Sequence, residues 1–457
     1  MKKEEYFAQI LQILNQDYEK YQQSLNEASK KSIRFVCDAH KDKSVLKNIP
    51  FNMKKNPIFD NCFYIENEEK AGSVWQHHAG VFYVQEPAAC VPVFAINEDL
   101  KGKIVVDCCA SPGGKTTQLA ELVGEDGFVV SNEYVSKRVN ILRGNIERLG
   151  FKNVAVVSND TKKLGDVLCG VADVVVVDAP CSGEGMFRKN PETMNEWTLG
   201  VVDMCAERQF QILQNVCKIV KNKGKMVYST CTFNKKENED VVEQFLKLHK
   251  DFKLVELSND IQSVSKPGIC DTEDKYNLKF CRRFYPHDNF GEGQFVAVMQ
   301  RVDEEEFSES VVKIKKEKLQ AKEEFLVKSF IDKNFDLKKY DIAKLGSQFF
   351  ILPKNRVDLK GLSVAMLGVC AGEIENQRFV PHHHLFKAFA KNCFNVVDLK
   401  EDKTRINKFI AGDQIFDEKV EDGYCAILSG GFALGFGKAK NGTINNHYPK
   451  GLRQILS

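Results

Sequence analysis

Two cysteines, Cys181 and Cys231, lie just after segments whose composition is typical of buried β-strands. Cys181 follows Asp178, which ends the apolar run 174–177, and Cys231 follows the segment KGKMVYST. Four consecutive valines predict a strand that is buried on both faces, as in a covered parallel sheet. Because ligands bind beyond the carboxyl ends of such strands, a carboxylate and two thiols would lie beside a substrate. A free cysteine is more often a small buried hydrophobe, so this interpretation needs support from the rest of the chain.

The segment GKIVVDCCASPGGKTT predicts a short strand, a tight turn at Pro112, Gly113 and Gly114, and a helix from Lys115. The N–H groups and the dipole at a helix amino terminus favour a ligand with an anionic or carboxylate group. The end of this segment copies a P-loop, but Cys109 stands where that motif requires its first glycine. We therefore expect an adenosyl ligand without a pyrophosphate.

Polar residues also end the next two predicted strands. Glu133 follows the strand at 128–131, about 20 residues after the glycine turn, where an acidic side chain accepts hydrogen bonds from ribose hydroxyls. Asn159 and Asp160 follow the strand at 154–157 and suit an adenine amino group. Strands that alternate with helices at this spacing predict an α/β fold with a doubly wound, mostly parallel sheet.

A methyl donor of the S-adenosylmethionine kind beside a cysteine indicates carbon methylation of an electron-poor ring. Carbon 5 of a pyrimidine becomes nucleophilic only after a thiolate has added to carbon 6. An acid such as Asp178 can share a proton with ring N3 and stabilise the charge that develops. One cysteine suffices for the attack, and a second one is available to assist the elimination that releases the product.

The bulk composition limits the classes of protein. A chain of 457 residues predicts two to four domains, and 43% hydrophobic with 28% charged residues indicates a globular protein. No apolar run is long enough for a membrane span, and the start MKKEEYFAQI does not resemble a signal peptide. The 15 cysteines include no CxxC pair, which argues against zinc knuckles and disulfides and for a reducing cytoplasm. A net charge of +2 leaves nucleic-acid binding open.

We divide the chain into an α+β subdomain (1–75), a catalytic core (76–302), a charged helical linker (303–354) and a β-rich domain (355–457). Three adjacent histidines, at 382–384, lack the spacing of metal ligands, so no metal is expected. Near the carboxyl end, basic and aromatic residues suggest either a surface that binds phosphates and stacks on bases or an ordinary basic surface. These residues are Lys438, Lys440, Lys450, Arg453, Phe436 and Tyr448.

The segments DAPCSGEGMFR, STCT, CCASPGGKTT and YVQEPAA resemble the Sun/Nop family of RNA cytosine-5 methyltransferases over nearly the whole chain. The segments RFYPHDNFGEGQF and GFGKAKNGTINNHYPKGLR are similar to its bacterial RsmF-like branch, which methylates small-subunit ribosomal RNA. The resemblance implies a Rossmann-like core that uses S-adenosylmethionine, an RNA-binding amino-terminal subdomain and a PUA-like RNA-binding carboxyl-terminal domain. It also implies a monomer.

The resemblance assigns roles to individual residues. It implies that Cys231 is the nucleophile and that Cys181 assists product release, while Lys115 and Asp178 reach the target base. It places S-adenosylmethionine against a set of loop and strand-end residues, namely Cys109, Ala110, Ser111, Pro112, Gly113, Gly114, Lys115, Glu133, Arg138, Asp160 and Asp178.

The sequence departs from the family's pattern in two places. Ser111 replaces the usual alanine of the first loop, a change that the loop should tolerate. Cys37 and Asp38 stand where the family commonly has an asparagine after Arg-Val, which puts substrate contacts of the amino-terminal subdomain in doubt.

Three alternatives stay open. A non-catalytic ribosome assembly factor would be expected to lose Cys231, Asp178 or the PGGK turn, and all are present. A DNA cytosine-5 methyltransferase would attack with the Pro-Cys thiol and would not need Cys231. The same chemistry could also act on transfer RNA.

Overall fold

The computed structural model describes residues 2–36, 38–66, 70–302 and 319–454, which form four β-sheets. Cys37, one of the two departures from the family pattern, lies outside the described residues. Within the described ranges, no helix combines the length and the apolar character needed to cross a lipid bilayer.

The amino-terminal part has four strands in one antiparallel sheet with the order β2-β3-β1-β4, and helices that flank it. Its elements are α1 (Lys2–Leu14), α2 (Tyr18–Ser24), β1 (Lys31–Phe35), α3 (Lys43–Asn48), β2 (Met53–Lys55), β3 (Cys62–Ile65), α4 (Trp75–Ala79), β4 (Phe82–Val84) and α5 (Val91–Phe94). The expected α+β subdomain is confirmed.

The central part is a doubly wound sheet in which strands and helices alternate. Its elements are β5 (Ile104–Asp107), α6 (Gly114–Val123), β6 (Phe128–Asn132), α7 (Ser136–Leu149), β7 (Val154–Val157), α8 (Thr161–Val167), β8 (Ala172–Asp178), α9 (Leu199–Val216), β9 (Val220–Thr230), α10 (Glu239–Leu248), β10 (Phe252–Leu254), α11 (Asn259–Ser263), β11 (Lys266–Pro267), β12 (Arg282–Phe284) and β13 (Gln294–Arg301). The strands β9, β8, β5, β6 and β7 are parallel neighbours, and β13 pairs antiparallel with β9.

Both faces of this sheet are covered, as the run of valines in β8 predicts. Val174 and Val176 pack in the apolar cluster on one face, whereas Val175 and Val177 pack in the cluster on the other face. All four side chains are fully buried. The polar residues that end the strand are therefore the first that reach a ligand.

The carboxyl-terminal part adds two small sheets and one strand of the central sheet. Its elements are α12 (Ala321–Asn334), β14 (Ile342–Leu345), β15 (Gln348–Ile351), β16 (Val364–Leu367), β17 (Val369–Glu375), β18 (Arg378–Pro381), α13 (His383–Phe389), β19 (Val396–Asp398), α14 (Lys403–Ala411), β20 (Ile415–Phe416), β21 (Gly423–Ser429), β22 (Phe432–Lys440) and β23 (Thr443–Asn446). The strand β16 pairs antiparallel with β7 at the edge of the central sheet. This pairing joins residues 364–367 to the catalytic sheet. The domain boundaries at 302/303 and 354/355 stay predictions.

The amino- and carboxyl-terminal parts share an apolar core. Ile33 and Phe82 from the first sheet pack in one cluster with Ile427 and Leu434 from the last sheet. The ammonium of Lys387 donates hydrogen bonds to the carbonyls of His78 and Ala79, at 3.1 and 2.8 Å, and to that of Ala433. The two parts that flank the catalytic sheet are therefore joined to each other.

One expectation for the carboxyl-terminal part is wrong in its details. Phe436 and Tyr448 are buried, not exposed for stacking on bases: Phe436 stacks on Phe386 at 4.4 Å, and the Tyr448 hydroxyl bonds His78 at 2.7 Å. The charged helical linker predicted at 303–354 stays a prediction. Residues 303–318 lie outside the described residues, and α12 packs into an apolar cluster through Val327 and Ile331.

The triple histidine is part of the packing. His384 is fully buried; its Nδ1 accepts the N–H of Cys370 at 3.2 Å, and its Nε2 lies 3.0 Å from the carbonyl of Phe151. Among the described residues, no group of three or more His, Cys, Asp or Glu is arranged to hold a metal.

Asn132 joins three strand ends. Its Nδ2 donates to the carbonyls of Cys108 and Asn159 at 3.2 and 3.0 Å, and its Oδ1 accepts the N–H of Asn159 at 3.0 Å. The Asn132 side chain is buried, so no water can take over its hydrogen bonds to these backbone groups.

Asn132→Ala should destabilise the protein by about 2–4 kcal/mol, because it leaves buried backbone groups unpaired. Urea unfolding followed by circular dichroism measures the change. The exposed Asn52, with one 3.3 Å bond to Glu66, is the matched control, and Asn52→Ala should shift stability by less than about 0.5 kcal/mol. Equal unfolding midpoints for the two variants would contradict the role of Asn132.

Candidate active site

The two cysteines selected from the sequence lie side by side at the carboxyl ends of neighbouring strands. In the parallel pair β8 and β9, Asp178 lies opposite Ser229, so the loops that follow begin at the same level. The Sγ atoms of Cys181 and Cys231 are 3.3 Å apart, and the N–H of Cys231 donates to the Cys181 sulfur at 3.4 Å. The prediction that the topology brings both thiols to one edge of the sheet is confirmed.

The two thiols differ in their surroundings. The hydrogen bond with Cys231 and burial both raise the pKa of Cys181 well above that of a free thiol. The thiolate form of Cys181 is therefore disfavoured at neutral pH, and the 3.3 Å contact allows either sulfur to donate to the other.

An ion pair lies next to the thiols. The Lys115 ammonium donates to Asp178 Oδ2 at 2.7 Å, while the Ser229 hydroxyl donates to Asp178 Oδ1 at 2.7 Å. Gln294 adds a longer contact to the same oxygen at 3.4 Å. Burial alone would lower the pKa of Lys115, but Asp178, Asp107 and Cys231 raise it overall. Lys115 is thus a charged proton donor within the field of the Cys231 sulfur. Sequence reasoning missed Ser229 and Gln294 because neither type of residue signals chemistry by itself.

The loop between β5 and α6 is held in one conformation by neighbouring side chains. Arg138 donates to the carbonyl of Ser111 at 2.8 Å, and Asn145 donates to that of Pro112 at 2.9 Å. Gly113 has φ of +111°, and a Cβ there would lie 3.1 Å from Leu142. The amino terminus of α6 therefore presents its first N–H groups from a closely packed turn.

The acidic residues predicted to bind the cofactor differ in what they contact. Glu133 is buried at the end of β6, where it accepts the N–H of Val135 at 2.9 Å and lies 3.5 Å from Arg138. Asp160 is exposed and caps α8 by accepting the N–H of Lys163 at 2.9 Å. A role of Asp160 toward the cofactor stays a prediction.

Asn159, expected beside adenine, has another partner. Its Oδ1 accepts the N–H of Ser363 at 3.0 Å, and its Nδ2 donates to the Ser363 carbonyl at 3.4 Å. The Asn159 side chain therefore joins the segment before β16 to the end of β7. Both of its polar atoms already have a hydrogen-bond partner in Ser363.

A buried oxygen of Asp107 shows whether the residues present fit S-adenosylmethionine. Its Oδ2 accepts from Thr116 at 2.7 Å, whereas its buried Oδ1 has no hydrogen-bond partner. Burial raises the pKa of this carboxyl to about 6. A buried acceptor beside a glycine turn, with an acidic residue at the next strand end, fits a ligand that carries an amino group and ribose hydroxyls.

The amino-terminal part contacts this pocket through Arg34, which the sequence did not single out. Its guanidinium donates to Gln85 Oε1 at 3.0 Å, to Thr117 Oγ1 at 2.8 Å and to the carbonyl of Gly114 at 3.3 Å. Since Arg34 is buried, the first turn of α6 is fixed from the amino-terminal sheet as well.

Three family models match the chain. Residues 95–300 match the model described as 16S rRNA methyltransferase RsmB/F, residues 3–87 match the N-terminal domain of 16S rRNA methyltransferase RsmF, and residues 394–454 match the methyltransferase RsmF PUA domain. Together they span about three quarters of the chain. The chain belongs to the RsmB/F methyltransferase family. The expected core, amino-terminal subdomain and PUA-like region are thereby confirmed.

Relatives within the RsmB/F family cover most of the chain. Ribosomal RNA small subunit methyltransferase F of Vibrio vulnificus is 28% identical over 408 residues, which are 87% of this chain and 84% of the relative. The protein of the same name from Shewanella oneidensis is 27% identical over 400 residues, 85% of this chain and 82% of the relative.

Solved structures show the same fold. A methyltransferase homologue from Pyrococcus horikoshii has 24% identity and a TM-score of 0.56, and covers 64% of this chain and 93% of its own. NSun6 from the same organism has 22% identity and a TM-score of 0.54, over 65% of this chain and 97% of its own.

Limited alkylation should distinguish the two thiols. With less than one equivalent of iodoacetamide at pH 7.5, Cys231 should react about tenfold faster than Cys181, because a raised pKa removes thiolate from Cys181. Peptide mass spectrometry gives both rates, and the exposed Cys169 controls for reagent access. Faster modification of Cys181 would contradict the raised pKa of its thiol.

Proposed function

We propose that this chain methylates carbon 5 of a cytosine in small-subunit ribosomal RNA through a covalent bond between Cys231 and the base. The observation that carries the proposal is the 3.3 Å contact between the sulfurs of Cys181 and Cys231, with the Lys115–Asp178 pair beside it. The names of the relatives from Vibrio and Shewanella support ribosomal RNA of the small subunit as the substrate.

S-adenosylmethionine, when bound, supplies the electrophilic methyl group. We assign its binding to the loop 109–115, Glu133, Arg138, Asp160 and Asp178. In this assignment the helix amino terminus and the buried Asp107 oxygen receive the polar groups of the amino-acid end. Glu133 receives the ribose hydroxyls.

The thiols act in sequence. The Cys231 thiolate adds to carbon 6 of cytosine, which forms an S–C bond and makes carbon 5 nucleophilic. The Lys115–Asp178 pair stabilises the charge that develops on the ring as the S–C bond forms.

Release requires a base that takes the carbon 5 proton; the electrons of that C–H bond re-form the double bond between carbons 5 and 6 as the bond between carbon 6 and the Cys231 sulfur breaks. We assign Cys181 to this second stage. Its thiol lies 3.3 Å from the Cys231 sulfur and donates a proton to that sulfur as it leaves carbon 6.

The flanking parts are proposed to bind the RNA. The amino-terminal and PUA-like regions pack against each other through one apolar core, which supports a common RNA-binding role. A cytoplasmic monomer that needs no metal remains our prediction, with domain boundaries at 75/76, 302/303 and 354/355.

Trapping in cells tests the reaction. Cys231→Ala should abolish methyl transfer, whereas Cys181→Ala should permit attack and accumulate a covalent protein–RNA adduct, because release is blocked. Denaturing gels detect the adduct, and sequencing identifies the attached nucleic acid.

The double variant Cys181→Ala/Cys231→Ala is the control and should form no adduct. An adduct that survives the loss of Cys231 would overturn the thiol roles. Attached DNA or transfer RNA would show that the substrate is not ribosomal RNA. A wild-type protein that transfers no methyl group would favour a non-catalytic binding factor.

Glu133→Ala should weaken S-adenosylmethionine binding by about tenfold, with little change in RNA binding, because it removes a charged acceptor for the ribose. Isothermal titration calorimetry measures the affinity. Glu125→Ala, at an exposed acidic position paired with Lys152, is the matched control. An unchanged affinity for Glu133→Ala would contradict the pocket as assigned.

A further inference from the structure

Each of the two loops that carry the thiols has a glutamate whose carboxylate accepts hydrogen bonds from the backbone of the other loop. We define the Cys181 loop as residues 179–187 and the Cys231 loop as residues 231–238. Glu184 of the first loop accepts the N–H groups of Phe233 and Asn234 in the second, at 2.7 and 2.9 Å. Glu237 of the second loop accepts the N–H of Ser182 in the first at 2.9 Å. Each loop is therefore fixed by a side chain of the other.

The amide of Asn234 lies between these two carboxylates. Its Nδ2 donates to Glu184 Oε1 at 3.0 Å and to Glu237 Oε1 at 2.7 Å, and its Oδ1 accepts the N–H of Glu237 at 2.8 Å. All three side chains are buried, Glu237 completely. Buried carboxylates are costly unless every oxygen accepts a hydrogen bond, and here all four oxygens do.

Gln209 of α9 extends this network to both sides of Cys181. Its Nε2 donates to the Pro180 carbonyl at 3.0 Å and to Glu237 Oε2 at 2.8 Å, while that same Oε2 accepts the N–H of Ser182. The peptide groups before and after Cys181 are thus fixed by one amide and one carboxylate. The hydroxyl of Tyr228 lies 3.1 Å from Gln209 Oε1 and 2.5 Å from the carbonyl of Glu237, and its one proton serves both acceptors.

The backbone next to Cys231 has further contacts that do not involve Gln209. The N–H of Gly185 donates to the Cys231 carbonyl at 2.8 Å, and a Cβ on Gly185 would lie 3.0 Å from that oxygen. Glu184, which binds the following N–H groups, is itself held by the Trp197 indole N–H at 2.9 Å. Loss of Gln209 therefore removes the contacts to the Pro180 carbonyl and to Glu237, and leaves these backbone contacts next to Cys231 in place.

We propose that Gln209 and Glu237 are positioning residues that hold the Cys181 thiol against Cys231, and that they govern product release more than attack. The inference rests on the proposed function, in which Cys231 attacks and Cys181 assists release. A thiol that moves by about 1 Å loses much of its effect, since such displacements change rates by about a hundredfold.

The test compares Gln209→Leu with Gln211→Leu, two glutamines of α9 of which only the first is buried. The substrate is small ribosomal subunits purified from cells that lack the enzyme, with tritiated S-adenosylmethionine. We expect Gln209→Leu to lower multiple-turnover methylation at least about tenfold. Single-turnover methyl transfer should change less than about threefold. A protein–RNA adduct should accumulate on denaturing gels, as in Cys181→Ala. Gln211→Leu should match the wild type in all three measurements.

A merely structural role would slow both stages together or reduce the folded fraction, and neither leads to an accumulated adduct. Equal losses in single and multiple turnover without an adduct would overturn the inference. If Gln209→Leu fails to fold, Tyr228→Phe decides, because it removes the hydroxyl that contacts both Gln209 and Glu237 without changing the shape of the core. It should show the same pattern to a smaller extent. If Cys181→Ala forms no adduct, the proposed thiol roles fail, and the inference fails with them.

Discussion

Parallel pairing of β8 with β9 is the interaction on which the site depends. The register that puts Asp178 opposite Ser229 sets where both chains leave the sheet, and the two thiols then follow within three residues. A shift by one residue would direct alternate side chains to the opposite face of the sheet. It would bury a carboxylate among the valines and separate the sulfurs. The covered apolar faces of β8 oppose such a shift, because every valine would lose its packing.

Strands bring the thiols to one edge, but loops carry them, and loops have little apolar surface of their own. The structure compensates with a dense polar network in which Glu184, Asn234 and Glu237 satisfy one another and the backbone. Such networks are rigid when complete and costly when a member is missing. The rigidity of the site thus comes from satisfied hydrogen bonds rather than from apolar packing.

Much of the site was predictable from sequence because its parts are local. A run of valines ending in Asp178, and a strand that ends before Cys231, place both thiols once a parallel sheet is assumed. The loop 109–115 is recognisable by its glycines. Partners that are distant in the chain were not predictable. Asn159 faces Ser363, and Tyr448 reaches His78, and no local periodicity contains these pairings. Exposure of Phe436 was wrongly inferred because aromatic residues near lysines look alike in a core and on a surface.

The strand β16 has a consequence for biosynthesis. It covers the edge of β7, yet it is translated about 200 residues later. During translation, β7 therefore emerges from the ribosome long before its neighbour, with a row of unpaired N–H and C=O groups. An open edge of this kind invites pairing with other nascent chains. The carboxyl-terminal part thus acts as a late cover for the catalytic sheet, which ties the order of synthesis to the solubility of the unfinished enzyme.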